Sequence, residues 1–454
     1  MTCQEVNIDK DEESSEENDL NIKSIGRPEE SNQRSTTFDI QGRDRNVLNN
    51  TNGENLRTSA LEMISAELLE IHQRYGHISF RRMVKMAKEG TINKKYTTCP
   101  IPTCSACLFA KAGRQQWRDK KRNNYKPIRN ESPGVCVSVD QLVSPTPGLV
   151  AQMSGRLTTK RYKYATVFVD QATRLGYVYL QTSPDADKTL KAVRSFKEFA
   201  MSRGVLIKAY HADNGAFKAN KWVDHCRANS QALTFAGVNA HHQNGLAERR
   251  IRELQDMTRS MLIHANHKWN KAITTNFWPY AMRMANGIMN ETPNLLDQHR
   301  RSAEQAFSRT IVNHNTKHQK TFGCPTYVLD NKLQSGNIFH KWSERSRVGT
   351  YLGKSPQHSR NVSLVLDRNT GLVSPQFYVL HNIRFDTIKQ ENYDSMWQVK
   401  AGFVSVLTSK ERTESNKSKE SEIMATNQKR KRSVIEDNDI QLKEHRGDYV
   451  NIND

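Results

Sequence analysis

Hydrophobic and polar positions follow two different periods along this chain. Between residues 58 and 90, Leu61, Ile64, Leu68 and Ile71 recur at steps of three and four, which predicts helix. From residue 131 the pattern changes. The runs GVCVSVDQL (134–142), YATVFVD (164–170) and GYVYLQT (176–182) read as three strands. Leu190, Val193, Phe196 and Phe199 then share one helical face, and Gly204 marks its stop. VLIKAYHAD (205–213) predicts a fourth strand, ALTFAGV (232–238) a short fifth. A long helix opens at 246, with Ala247, Ile251, Leu254, Met257 and Met261 on one stripe. Three strands, a helix and then alternating elements predict an α/β domain, a mixed sheet covered by helices. Strand order is not readable from the pattern. Residues 266–318 read as mostly helical, anchored by Trp278, Met282 and Ile288. Residues 320–388 switch to short β-like runs such as TYVLD, RVGTYLG and VSLVLD, broken by Gly and Pro, which predicts a small barrel or sheet.

The two ends carry neither period. Residues 1–57 are rich in Glu, Asp, Asn and Ser, and the first twenty hold eight acidic residues and one Lys. Such a composition buries too little surface to offset chain ordering, so this extension is expected to be disordered. The Lys-, Glu-, Ser- and Asn-rich segment 391–454 is expected to behave likewise. The division that follows is an acidic extension (1–57), a helical His/Cys segment (58–113), a basic linker (114–130), an α/β core with helical extension (131–318), a β-rich region (319–390) and the tail. The net charge of +20 therefore arises downstream of the acidic start, and favours a polyanionic partner. No apolar run approaches the roughly 18 residues of a membrane span, and the acidic N-terminus lacks the apolar stretch of a secretory signal. Seven cysteines, an odd number, argue against a disulfide framework and for a reducing compartment.

Three of those cysteines crowd into residues 99–107. His72 and His77 stand in HQRYGH, and Cys104 and Cys107 in CSAC, giving H-x4-H and C-x2-C separated by 26 residues. Two His and two Cys close a tetrahedral zinc site, a structural one because no ligand position is left open. Five helical steps advance about 500°, so His77 must lie beyond a helix end, and Gly76 supplies the turn. Cys99 is a weaker alternative ligand.

A second set of ligands is acidic. Asp140 lies at or near the end of the first core strand, Asp213 ends the fourth in HADNG, and Glu248 opens the long helix in HHQNGLAERR. Carboxylates suit hard divalent cations, and two such ions about 4 Å apart serve in-line phosphoryl transfer. Asp140 is expected to bridge both ions, with Asp213 and Glu248 each holding one. Asp170 also ends a strand, but is expected to stabilise the following turn through Thr173 or backbone amides.

At these residues the sequence resembles copia-type LTR-retrotransposon (Pseudoviridae) integrases, Asp-Asp-Glu recombinases of the retroviral integrase superfamily. HQRYGH and CSAC are similar to the family's zinc segment; SVDQL, HADNG and QNGLAERRIRE to its acidic core; FGCPTYVLD and VSPQFYVL to the stretches that follow. The resemblance covers roughly residues 70–388. It implies an RNase H-like core, Mg²⁺ or Mn²⁺, trimming of element DNA ends, joining of their 3′-hydroxyls to target DNA, and multimers acting on two DNA ends. Three departures stand out. Asp213 and Glu248 enclose 34 residues where the family usually has about 35, the Pro before Gln-Asn-Gly is replaced by AHHQNG, and LFAKAGR has Ala where Gly is common before Lys. There is no Asp-Ser/Thr-Gly, Tyr-x-Asp-Asp or Cys-x2-Cys-x4-His-x4-Cys motif, so the resemblance implies an integrase without its usual polyprotein companions, expected to be a processed product, a truncated copy or a domesticated gene.

DNA contacts are expected from Gln243, Asn244, Arg249, Arg250 and Arg252 around Glu248, with His241 and His242 more often bystanders. The linker cations Arg114, Arg118, Lys120, Lys121 and Arg122, and Lys341, Arg345, Arg347 and Lys354 in the β-rich region, are further phosphate contacts. Lys429, Arg430, Lys431 and Arg432 form a candidate nuclear-import run, which points to the nucleus with a cytoplasmic particle stage. The leading reading is an active integrase, with double-stranded DNA as substrate and a homo-oligomer as the working form. The alternatives are a catalytically silent DNA-binding protein and an RNase H-like nuclease. A zinc hydrolase is disfavoured because H-E-x-x-H is missing.

Overall fold

The structure, a computed structural model, describes residues 45–113, 132–151, 155, 161–213, 215–237, 244–294, 297, 299–310, 318–336 and 340–388. Residues 1–44 of the acidic extension, the basic linker, His241, His242, Gln243 and the tail with Lys429, Arg430, Lys431 and Arg432 lie outside the described residues.

Helix α1 (Arg45–Arg74) begins earlier than expected, inside the segment read as disordered. The helical region expected over 58–90 is two helices, α1 and α2 (Phe80–Lys88), broken at the expected turn before His77. Between them Gly76 has φ +60° and its N–H donates to Gln73 at 3.2 Å, while the His77 N–H donates to His72 at 2.9 Å. That hydrogen-bond pair is a Schellman stop, which needs a left-handed residue at the position Gly76 fills. A short helix α3 (Ser105–Ala110) completes this region.

The central sheet uses β1 (Val137–Gly148), β2 (Tyr162–Asp170), β3 (Gly176–Gln181), β4 (Ala209–Ala212) and β5 (Ala232–Phe235) in the order β3-β2-β1-β4-β5. β1, β2 and β3 pair antiparallel, whereas β4 and β5 run parallel to β1. Side chains alternate between the two faces. Val137, Val139, Phe168, Tyr210 and Ala212 point to one face, where Val193 and Phe196 of α4 (Ala186–Met201) and Trp222 of α5 (Asn220–Ala228) cover them. Leu142, Ala165, Val167 and Val169 point to the other, under α6 (Gly245–Lys268) and α7 (Trp278–Glu291). This is the mixed α/β layer arrangement that the sequence pattern predicted. Trp278, Met282 and Ile288 are buried as expected.

α8 (Ala303–Ser308) opens with a full capping box between Ser302 and Gln305. Then follow β6 (Pro325–Leu329), α9 (Asn331–Gln334), β7 (Ser346–Lys354), β8 (Ser363–Asp367), β9 (Val373–Gln376) and β10 (Val379–His381). The strands form an antiparallel sheet, β10-β6-β7-β8-β9, which resolves the choice between barrel and sheet. Leu352, Leu366 and Val373 of this sheet share one apolar cluster with Leu68 and Tyr75 of the helical region and with Met257, Met261 and Ile288 of α6 and α7. Among the described residues no helix is long and apolar enough to cross a membrane.

Candidate metal centres and acidic face

His72 sits in the last turn of α1, His77 just past the Schellman stop, Cys104 at the N-cap of α3 and Cys107 inside it. The turn reverses the chain so that both imidazoles meet both thiols. His72 Nε2 lies 3.2 Å from Cys107 Sγ and 3.2 Å from His77 Nδ1; His77 Nδ1 lies 3.4 Å from Cys104 Sγ and 3.7 Å from Cys107 Sγ. A tetrahedron with Zn–N of about 2.05 Å and Zn–S of about 2.3 Å has edges of roughly 3.3–3.8 Å. These distances lie close to those edges, and the four ligand atoms, all within 4.8 Å of one another, fit a zinc ion. His72 Nδ1 donates to the Ile78 carbonyl at 2.8 Å, which leaves Nε2 as the lone pair facing the centre. Burial holds His77 at about 4, well below an ordinary imidazole, so it stays neutral and able to ligate. The hydrogen bond from Cys104, with His72 and His77 beside it, pulls the Cys107 thiol strongly down toward thiolate. Cys99 stays outside the cluster, its Sγ toward the Tyr96 carbonyl. Four side chains from three segments meet here with a stacked Phe80 ring against His72.

The acidic residues lie on β1 (Asp140), just past the end of β4 (Asp213) and in the first turn of α6 (Glu248). Asp140 is the fourth residue of β1, not its last. The strand runs on through Pro145 and Pro147 because β4 pairs with β1 only at Val137–Val139, so the later residues have a free edge that tolerates proline. Asp140 and Asp213 are the residues that follow the last parallel pair, Val139↔Ala212. By alternation with Val139, Asp140 belongs to the face of α6, while Asp213 lies just past the end of β4. Asn244, the N-cap residue of α6, donates its amide to the Val139 carbonyl at 2.9 Å. That bond ties the first turn of α6, and with it Glu248, to the residue preceding Asp140. All three carboxylates are partly exposed, and Asp140 Oδ1 accepts from the Gln141 N–H at 2.7 Å. A set of oxygen-only donors suits Mg²⁺ or Mn²⁺. The carboxylates are not gathered as tightly as the His/Cys group, the one cluster of metal-type ligands found among the described residues.

Two residues expected to touch DNA have other tasks. Arg250 is buried, and its Nη2 donates to the Arg174 carbonyl at 2.6 Å and to Asn290 Oδ1 at 2.9 Å. Burial lowers it to about 10, so the folded protein holds this cation in place at a cost. Asn244 is buried as well, and acts as the tie to β1 described above. Arg249 and Arg252 are exposed, with Arg249 paired to Glu253 at 3.1 Å. In the β-rich region, Arg347 is engaged by Asp367 at 2.6 Å and Lys354 by Glu291 at 3.0 Å, whereas Lys341 and Arg345 are exposed. Asp170 is fully buried and accepts from the Gly134 N–H (2.9 Å), the Thr173 N–H (2.8 Å) and the Thr173 hydroxyl (2.7 Å), the turn-holding task expected of it.

Comparison with known proteins adds the following. Residues 47–112, which include all four zinc-type ligands, match the GAG-pre-integrase domain family. No curated protein matches the chain. Among solved structures, the chain is similar to the HTLV-2 integrase catalytic core domain in complex with magnesium, with 14% identity over 39% of this chain and 99% of that one and a TM-score of 0.29. It is similar to the simian T-cell lymphotropic virus intasome in complex with the PP2A regulatory subunit B56 gamma, with 15% identity over 62% of this chain and 87% of that one and a TM-score of 0.31. It is also similar to the BIV integrase catalytic core domain, with 14% identity over 39% of this chain and 95% of that one and a TM-score of 0.27. The segment that matches the GAG-pre-integrase domain family, 47–112, thus leads into a mixed α/β layer of helix-covered strands.

Proposed function

We propose that this protein inserts element DNA into target DNA as a metal-dependent polynucleotidyl transferase of the copia type, trimming the 3′ ends and then joining them. The observation that supports this reading is that Asp140 on β1 and Asp213 just past β4 follow directly on the paired residues Val139 and Ala212, with the helix of Glu248 tied to β1 through Asn244. Two divalent ions, when bound, would activate the attacking oxygen and stabilise the leaving one. Asp140, Asp213 and Glu248 would hold them, Asp140 between the two. Asn244 fixes the entry of α6 against β1, and with it the helical turn that carries Glu248. Arg249 and Arg252, exposed beside Glu248, would neutralise phosphates of the bound strand, and Gln243 would contact DNA next to the reacting phosphate. Zinc at His72, His77, Cys104 and Cys107 would serve structure only. The working form would be a homo-oligomer on two DNA ends, in the nucleus after a cytoplasmic particle stage, with Lys429, Arg430, Lys431 and Arg432 as the import run.

The test uses zinc-loaded protein and labelled duplex ends, with Mg²⁺ and Mn²⁺ compared. Joined products are expected, with a loss of at least about 10³-fold in Glu248→Gln, since removing a group that acts only on the reacting centre affects rate far more than binding. Metal-dependent cutting without joining would favour a nuclease. Tight DNA binding with neither would favour a silent binding protein.

A further inference from the structure

A recess of about 710 Å³ lies between α2, the end of α3 and the first turns of α6. Its walls carry Arg81, Arg82 and Lys85 from α2, Lys111 just past α3, Arg174 from the β2–β3 turn and Arg249 from α6. Cations from four separate stretches of chain thus face one cavity. The acids on its wall are Glu253 and Asp256, and both are engaged: Arg249 meets Glu253 at 3.1 Å and Arg259 meets Asp256 at 3.2 Å. Among the described residues, no carboxylate forms an ion pair with Arg81, Arg82, Lys85 or Lys111.

Arg82 is the most specific of these. Its Nη2 donates to the Pro293 carbonyl at 3.2 Å, while its Nε is buried without an acceptor. Burial holds it below an ordinary arginine, with Glu253 the main opposing influence. Lys111 gives one of its three protons to the His77 carbonyl. Like charges crowded around a half-enclosed recess repel one another, and an unsatisfied guanidinium N–H in such a place is costly. A multiply charged anion relieves both. A single carboxylate would satisfy one guanidinium fork, whereas a cavity of this volume lined by cations from four stretches of chain suits several anionic oxygens. Phosphoryl groups have that form, and Arg and Lys are their usual partners.

We propose that this recess is a binding site for a phosphate-bearing polyanion, held by Arg81, Arg82, Lys85 and Lys111. The phosphate can belong to a free oligophosphate or to a nucleic-acid backbone, and the site stands whether or not the acidic face is catalytic.

The experiment is calorimetric titration of the full-length, zinc-loaded protein with tripolyphosphate at constant ionic strength, repeated with a duplex oligonucleotide present. Arg81 and Lys85 are exposed, so the double variant Arg81→Gln/Lys85→Gln keeps the fold, which its zinc content and circular dichroism check. One tripolyphosphate per chain is expected, bound about 100-fold more weakly by the double variant and unchanged in Glu248→Gln, at about tenfold for each charged contact removed. Competitive displacement by the duplex identifies the occupant as backbone phosphate; simultaneous binding identifies a free polyanion. Tripolyphosphate binding that the double variant leaves intact, or binding that sulfate matches at equal ionic strength, overturns the proposal.

Discussion

Arg250 lies three residues after Ala247 and four before Leu254, on the stripe of α6 that faces the core. Its guanidinium reaches under the β2–β3 turn, where Gly176 leaves room for it: a Cβ there would stand 2.6 Å from Arg250 Nε. Removing it takes a donor from the Arg174 carbonyl and one of two from Asn290 Oδ1, and opens a cavity. Arg250→Ala is therefore expected to destabilise the protein by about 2–4 kcal/mol, and Arg252→Ala by less than about 0.5 kcal/mol. Urea midpoints of the two variants measure this, and equal midpoints would remove Arg250 from the structural role given it. The distinction was legible in the sequence, since Arg250 falls in the apolar phase of α6 whereas Arg249 and Arg252 do not. A run of arginines beside a candidate acidic residue drew attention to charge instead of phase. The task of Asn244 was not legible, because its partner is a backbone carbonyl 105 residues earlier. Asp170 was legible for the opposite reason: its partners Thr173 and the turn amides are neighbours in the chain.

At the scale of elements, α6 does two things. Its first turn carries Glu248, and 16 residues further along His264 packs its ring 5.1 Å from that of His77. Those residues span about 24 Å of helix at 1.5 Å each. Arg259 adds a hydrogen bond from α6 to the Ala110 carbonyl of α3 at 2.6 Å. The His/Cys cluster thus rests directly on the helix that presents Glu248. Stripping zinc with a chelator, or changing Cys107→Ser, is expected to lower the melting temperature by on the order of 10 °C, because binding free energy at a structural zinc site is folding free energy. Hydrogen exchange should accelerate first in the last turns of α1, in α3 and around His264. If exchange rises only in α1 and α3, the coupling to α6 is absent. The two spacings of the cluster were readable in advance, as was the turn at Gly76. The packing partner of that turn was not, since long-range contacts leave no local signature.

For the molecule as a whole, one apolar cluster joins the helical region, the α6–α7 layer and the C-terminal sheet. The sequence divided these into separate regions because their periods differ. Period reports secondary structure, however, not which faces meet, and it could not give the order β3-β2-β1-β4-β5 either. A shared core predicts that perturbing the C-terminal sheet lowers the stability of the entire unit. His381 provides the perturbation. It bridges Thr326 Oγ1 at 2.9 Å and Ser363 Oγ at 3.0 Å, and burial followed by the nearby Lys320 charge holds it at about 4, below the 6.5 of a free imidazole. The folded state therefore takes up this proton less readily than the unfolded chain. The associated stability is complete above pH 6.5 and is lost as pH falls toward 4, by on the order of 1–3 kcal/mol. Melting followed by near- and far-ultraviolet dichroism at pH 7 and pH 5 should show one coincident transition moving down, and His381→Asn should reduce the shift, to which the buried His77 and His264 also contribute. Two separated transitions would refute the shared core.

The close seat of Gly76 bears on ancestry and grafting. A Cβ at this position would meet Ile288 Cδ1 at 3.0 Å, Met257 Cε at 3.1 Å and Met261 Sδ at 3.3 Å. The pre-integrase segment and the core are thus fitted to one another at the level of single methyl groups. A chimera that takes 47–112 from one protein and the core from a distant relative would have mismatched side chains at this seam, and a core excised near residue 131 would bare two methionines to water. The two parts are expected to be inherited and transplanted as one piece.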